Sequence, residues 1–162
     1  MCNEKQREIR FRGKRVDNGE WAEGYYIEAH YHWHNHGVHK EWIVSAACAN
    51  GGWFSIHGRY PVVADTVGQF TGLTDKNGKK IFEGDILSIA RRMDGMGTYY
   101  FPAIEYPVNV VVKWDMCSWM WETIAEDTRY ISFPDAWCHY ECEVIGNIYD
   151  TPELLEEAQH AE

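Results

Sequence analysis

Between Thr66 and Ile86 the chain spells out strand, tight turn and strand in unbroken order. Thr66 to Leu73 is rich in residues that suit a pleated surface, and Asp75-Lys76-Asn77-Gly78 interrupts it with four turn-forming residues. Lys79-Lys80-Ile81-Phe82 then leaves the turn as a second strand. A further strand from Ile86 to Arg92 follows Gly84-Asp85, where the glycine permits a kink and the aspartate can accept from nearby backbone donors. A chain committed to this pattern is committed to antiparallel β structure.

The composition agrees. Eight Trp, ten Tyr and fourteen Gly favour strands and turns over helices. Alternation predicts a strand at Arg7–Arg12, and the turn Asp17-Asn18-Gly19 returns it to Trp21–Ile27. A second hairpin is expected from Glu41–Ala49 to Trp53–Tyr60 around Asn50-Gly51-Gly52, with Pro61 at its end or edge. Val108–Trp114 is the clearest strand, with Ser118–Ile124 as its hairpin partner. Tyr130–Phe133 and Glu143–Tyr149 complete the set. Thr151 is expected to cap a short acidic helix with Pro152 at its first position.

The turn-and-kink segment, taken with Glu143-Val144-Ile145-Gly146-Asn147-Ile148-Tyr149-Asp150 and Pro152-Glu153-Leu154-Leu155, resembles the YopX family of phage and prophage proteins. The resemblance is fullest over 7–13 and 66–92 and looser over 108–155, while 28–62 departs from the pattern as an elaboration. It implies an all-β, mainly β fold of two small β-barrel-like modules. The first would span 1–65 and carry a His-rich insertion. The second, 66–162, would be an SH3-like barrel with a short C-terminal helix. The resemblance implies no particular activity.

Charge narrows the choice of partners. The net charge of −10 gains nothing from counterion release on nucleic acid, so such binding is not expected. Arg7, Arg10, Arg12, Lys14 and Arg15 are read instead as a solvated strand edge, where positive charge discourages pairing. The polar N-terminus is no signal peptide, and no apolar run approaches the ~20 residues that span a bilayer. A cytoplasmic protein without membrane contact is expected. Five scattered cysteines suit reduced thiols.

Three features carry candidate chemistry. His30-Tyr31-His32-Trp33-His34-Asn35-His36 would place its even-numbered histidines on one face if it were a single strand. Alternate residues lie ~7 Å apart, so His32, His34 and His36 form a candidate zinc or nickel site, with His57 or Glu41 as a further ligand. The bland alternative is a solvent-facing hairpin. Cys138-His139-Tyr140-Glu141-Cys142 lacks the second knuckle of a zinc ribbon, and its cysteines read as small hydrophobes. Trp119, Trp121 and Tyr130 belong to an aromatic run that also holds Trp114 and Trp137, and they serve either as core or as a partner-binding surface.

No serine elbow, phosphate-binding glycine loop or dinucleotide fingerprint occurs, and no cofactor is expected. The leading expectation is a non-enzymatic interaction module that presents aromatic and acidic surface to a protein partner or to another copy of itself. Metal binding through the His-rich strand is the alternative. A third is an acidic DNA mimic, or an accessory to replication or counter-defence.

Overall fold

The structure, a computed structural model, describes residues 8–33, 36–50, 53–91, 108–115, 118–123, 131–132 and 140–156. Eleven strands and two short helical turns account for most of them. They are β1 (Phe11–Lys14), β2 (Trp21–Trp33), β3 (His36–Asn50), β4 (Trp53–Pro61), β5 (Gly68–Thr74), β6 (Lys80–Phe82), β7 (Asp85–Arg91), β8 (Val108–Asp115), β9 (Ser118–Thr123), β10 (Ile131–Ser132) and β11 (Tyr140–Asn147). A 3-10 turn covers Ala64–Thr66, and helix α1 covers Glu153–Glu156. The chain is mainly β, as its composition requires. No helix among the described residues is long and apolar enough to cross a membrane.

The strands form two antiparallel sheets and not the closed barrels expected. One runs β4-β3-β2-β1-β5-β6 and the other β10-β9-β8-β7-β11. The chain divides into two compact units, Met1–Gly72 and Leu73–Glu162. The expected seam between 65 and 66 falls one strand too early. β5 begins after it and pairs back onto β1, with Phe11 opposite Gln69 and Arg12 opposite Gly68. That pairing also corrects the reading of the basic cluster. β1 is held between β2 and β5, so its cations guard no edge.

In the first unit, Ala22, Ile43 and Val62 form a buried core, against which Phe11, Tyr26, Tyr60 and Val67 pack. Gly19, at φ 72°, closes the β1–β2 turn. Thr66 pins the 3-10 turn to β1: its hydroxyl accepts from the Lys14 amide at 2.9 Å and donates to the Val63 carbonyl at 2.7 Å.

The second unit has the larger core. Ile81, Leu87, Ile89, Val110, Val112, Cys142 and Val144 are buried together, with Trp119 and Trp121 among them. Each alternates along its strand with a residue of the other face, as a period of two demands. The Gly84-Asp85 kink behaves as its residues suggest. Gly84 sits at φ 79°, and Asp85, almost fully buried, accepts the Phe82 amide at 2.8 Å.

Thr151 does not cap the helix with its side chain. Its hydroxyl accepts from the Asn147 amide at 3.1 Å and donates to the Asn147 carbonyl at 3.2 Å, closing the loop that leaves β11. The register of β11 against β7 shifts between Val144 and Gly146. A side chain at Gly146 would enter the space held by Thr151 Oγ1 and Leu154 Cδ1, which explains the glycine there. The helix is tied down from the sheet, where Asn109 of β8 donates to the Leu154 carbonyl at 2.8 Å.

Candidate interaction surface

The hairpin β8–β9 decides where the tryptophans go. Its register sets Trp114 opposite Trp119 and Val112 opposite Trp121. Cross-strand partners share a face, so Trp119 and Trp121 follow fully buried Val112 into the core. They are 7% and 1% exposed, which corrects the expectation that they offer a binding face. Tyr130, the third residue of that expectation, lies outside the described residues.

Among the described members of the group, Trp114 is the exposed one, at 49%. Its ring meets Trp119 edge-to-face, with centroids 4.9 Å apart and planes at 75°. Contact of this kind adds about 0.5–1.5 kcal/mol beyond area burial and holds a large ring in one orientation. The Trp119 indole nitrogen beneath is buried with no hydrogen-bond partner among the described residues. Lys113 and Glu122 form an ion pair across the same hairpin. The sequence does carry a signal for Trp114: it stands between Lys113 and Asp115 at the strand's end, where core coverage runs out.

The described histidines of this segment are divided between two strands. β2 ends at Trp33 and β3 starts at His36, and the register pairs His30 with His39, His32 with Gly37, and Trp33 with His36. His36 is therefore one register position away from the His32–Gly37 pair. His34 lies outside the described residues, and no cluster of three or more metal-ligating side chains occurs among those described.

Along β1 the cations rest on rings. The Arg12 guanidinium lies 4.6 Å from the centre of Trp21, Arg10 lies 4.7 Å from Tyr25, and Arg15 lies 4.7 Å from Tyr60. Carboxylates accompany them: Arg10 bonds Glu8 and Arg15 bonds Asp17, at 2.9 and 2.6 Å. Such a strip organises the sheet surface but leaves little net positive charge to attract a phosphate backbone. Residues 1–72 hold eight Lys/Arg against eight Asp/Glu, and residues 73–162 hold seven against seventeen. The whole net charge of −10 thus belongs to the second unit.

The turn Asp75–Gly78 does more than reverse the chain. One carboxylate oxygen of Asp75 accepts from Asn77 and Lys79 amides at 2.8 and 2.9 Å, which is ordinary turn chemistry. The other accepts the Val144 amide of β11 at 3.1 Å. Burial alone would raise the Asp75 carboxyl, but the amides of Val144, Lys79 and Asn77 outweigh it and hold the group below its ordinary value. Beside it, the Lys76 amide donates to the Cys142 carbonyl at 3.0 Å, and Lys76 Nζ meets Glu143 at 2.6 Å. Burial, followed by the nearby charge of Asp75, pushes the Cys142 thiol up to about 12, so this cysteine is inert. The turn itself is legible in the sequence, but its reach to β11 is not.

The model of the YopX protein family matches residues 10–156. The chain belongs to the YopX family. The matched span includes 28–62, the stretch expected to stand apart from the family pattern. The chain is also similar to the protein EF1440 from Enterococcus faecalis, known from a crystal structure. The TM-score is 0.55 with 25% sequence identity over 93% of this chain and 99% of that one. No curated protein matches the chain.

Proposed function

We propose that this YopX protein is a non-enzymatic, cytoplasmic interaction module of phage or prophage origin, and that its second unit supplies the contact surface. The observation that carries the reading is Trp114, half exposed yet fixed edge-on against buried Trp119. Large rings held in place at low entropic cost are the usual anchors of protein interfaces. The acidity of residues 73–162 adds the second element and favours a partner with a basic rim. The absence of catalytic sequence motifs supports the non-enzymatic part. An SH3-like meander belongs to the same reading, supported by the successive antiparallel neighbours β7, β8, β9 and β10.

The test compares Trp114→Ala with the unmodified chain in affinity capture from the host, alongside thermal unfolding. A partner that is lost while the melting curve stays close to that of the unmodified chain supports the reading. Equal capture by both proteins, or unfolding of the variant, removes Trp114 as the anchor.

A further inference from the structure

Among the described residues, β11 is the terminal strand of its sheet, with β7 as its one ladder partner. In an antiparallel ladder, alternate residues turn both backbone groups away from the neighbour. Cys142 and Val144 are such residues, since their outward carbonyl and amide are the groups bonded by the Asp75–Gly78 turn. An edge left open in this way is a template for another strand. Here the template is filled by a backbone amide at one position and a carboxylate oxygen at the next. Those are the two kinds of group an incoming strand would offer.

We propose that the Asp75–Gly78 turn is an edge guard, occupying β11 at Cys142 and Val144 so that β11 of a second copy cannot pair there. The second copy is the natural intruder because the same edge on both chains makes a self-complementary two-fold seam. Side-chain charge reinforces the guard. A seam centred on Cys142 sets Glu141 against Glu143 on each side, and like charges directly opposed are destabilising. Lys76 and Asn77 both hold Glu143, at 2.6 and 3.4 Å, keeping the turn seated along the edge. The inference stands apart from the role of Trp114.

Lys76→Pro tests it with little damage to the turn. Gly78 donates to the Asp75 carbonyl at 3.0 Å, so Lys76 occupies the second turn position, where proline is favoured. The change removes the amide that fills the Cys142 carbonyl. Sedimentation velocity over a concentration series, in roughly 0.5 M salt to screen the glutamates, reads the result. The folded variant is expected to rise toward roughly twice the mass of the unmodified chain under the same conditions. Adding Tyr140→Pro, which blocks the same edge at the first residue of β11, is expected to abolish the rise. An unchanged mass, or a rise that survives Tyr140→Pro, overturns the proposal. Amide exchange on the unmodified chain gives an answer that needs no variant. The Val144 amide, although it faces away from β7, must exchange as slowly as the ladder amides, and fast exchange there also overturns the guard.

Discussion

The carboxylate of Asp75 accepts the backbone amide of Val144 at 3.1 Å, joining residues 69 positions apart in the chain. One side chain thereby shapes its own turn and fixes the last strand of the second sheet. Asp75→Ala removes the acceptor for three amides and strands the buried one at Val144. A loss on the order of 3 kcal/mol is expected, read as a lowered urea midpoint with an unchanged slope. Asp75→Asn keeps a neutral acceptor and loses less.

The same group gives the stability a pH signature. Asp75 is held below its ordinary carboxyl value when folded, so its contribution is fully present above the unfolded pKa of about 3.9. That contribution drains away as pH falls through the lower folded value. The stability gap between the unmodified chain and Asp75→Asn should hold between pH 7 and about 5, then shrink in stronger acid. A gap that widens on acidification contradicts the assignment.

Trp114 of β8 and Trp121 of β9 should part company. Trp121→Ala empties a fully buried site and is expected to cost about 3–5 kcal/mol. Trp114→Ala gives up mainly one edge-to-face contact, about 1 kcal/mol. Chemical denaturation of the two variants side by side checks the difference, and comparable losses would place Trp114 in the core.

Much of this hairpin is visible in the sequence. Val108–Trp114 and Ser118–Ile124 were expected as paired strands, and the structure has Val108–Asp115 and Ser118–Thr123. Alternation and turn residues are local signals, and they survive folding. What the sequence hides is which strands become neighbours. The cations of β1 looked like edge charges because nothing local announces that β5 returns to cover that side. The tryptophans could be core or surface because alternation separates two faces without saying which is covered. The histidine run reads as one strand in the sequence, and nothing local announces that its described residues divide between β2 and β3, which pair antiparallel.

Gly146→Ala tests the tight corner after β11. The added methyl meets Thr151 Oγ1, which is anchored to Asn147 at both ends, and Leu154 Cδ1. About 2–3 kcal/mol of destabilisation is expected from this overpacking. Thr151→Ala in the same chain clears one obstacle, so the double variant should be more stable than the sum of the two losses. Simple additivity in a double-mutant cycle would count against the clash.

Cys142 should resist alkylation while the protein is folded. Burial deprives it of both access and thiolate, with its pKa pushed up to about 12. Mass-spectrometric mapping after iodoacetamide at pH 8 should find position 142 unmodified in native protein and fully modified in urea. Rapid native labelling would mean that β11 detaches readily from the sheet.

The long separation between Asp75 and Val144 also sets a timetable. At synthesis rates of roughly 5–20 residues per second, the turn waits on the order of 3–14 s for its partner amide to be made. During that interval β7 and its neighbour β8 are translated, but β11, which pairs with the other side of β7, is not. The second unit therefore cannot complete its fold early in translation, and it spends those seconds with a bare hydrogen-bonding rim. A nascent chain stalled before Tyr140 is the form of this protein most exposed to chaperone capture or to clumping.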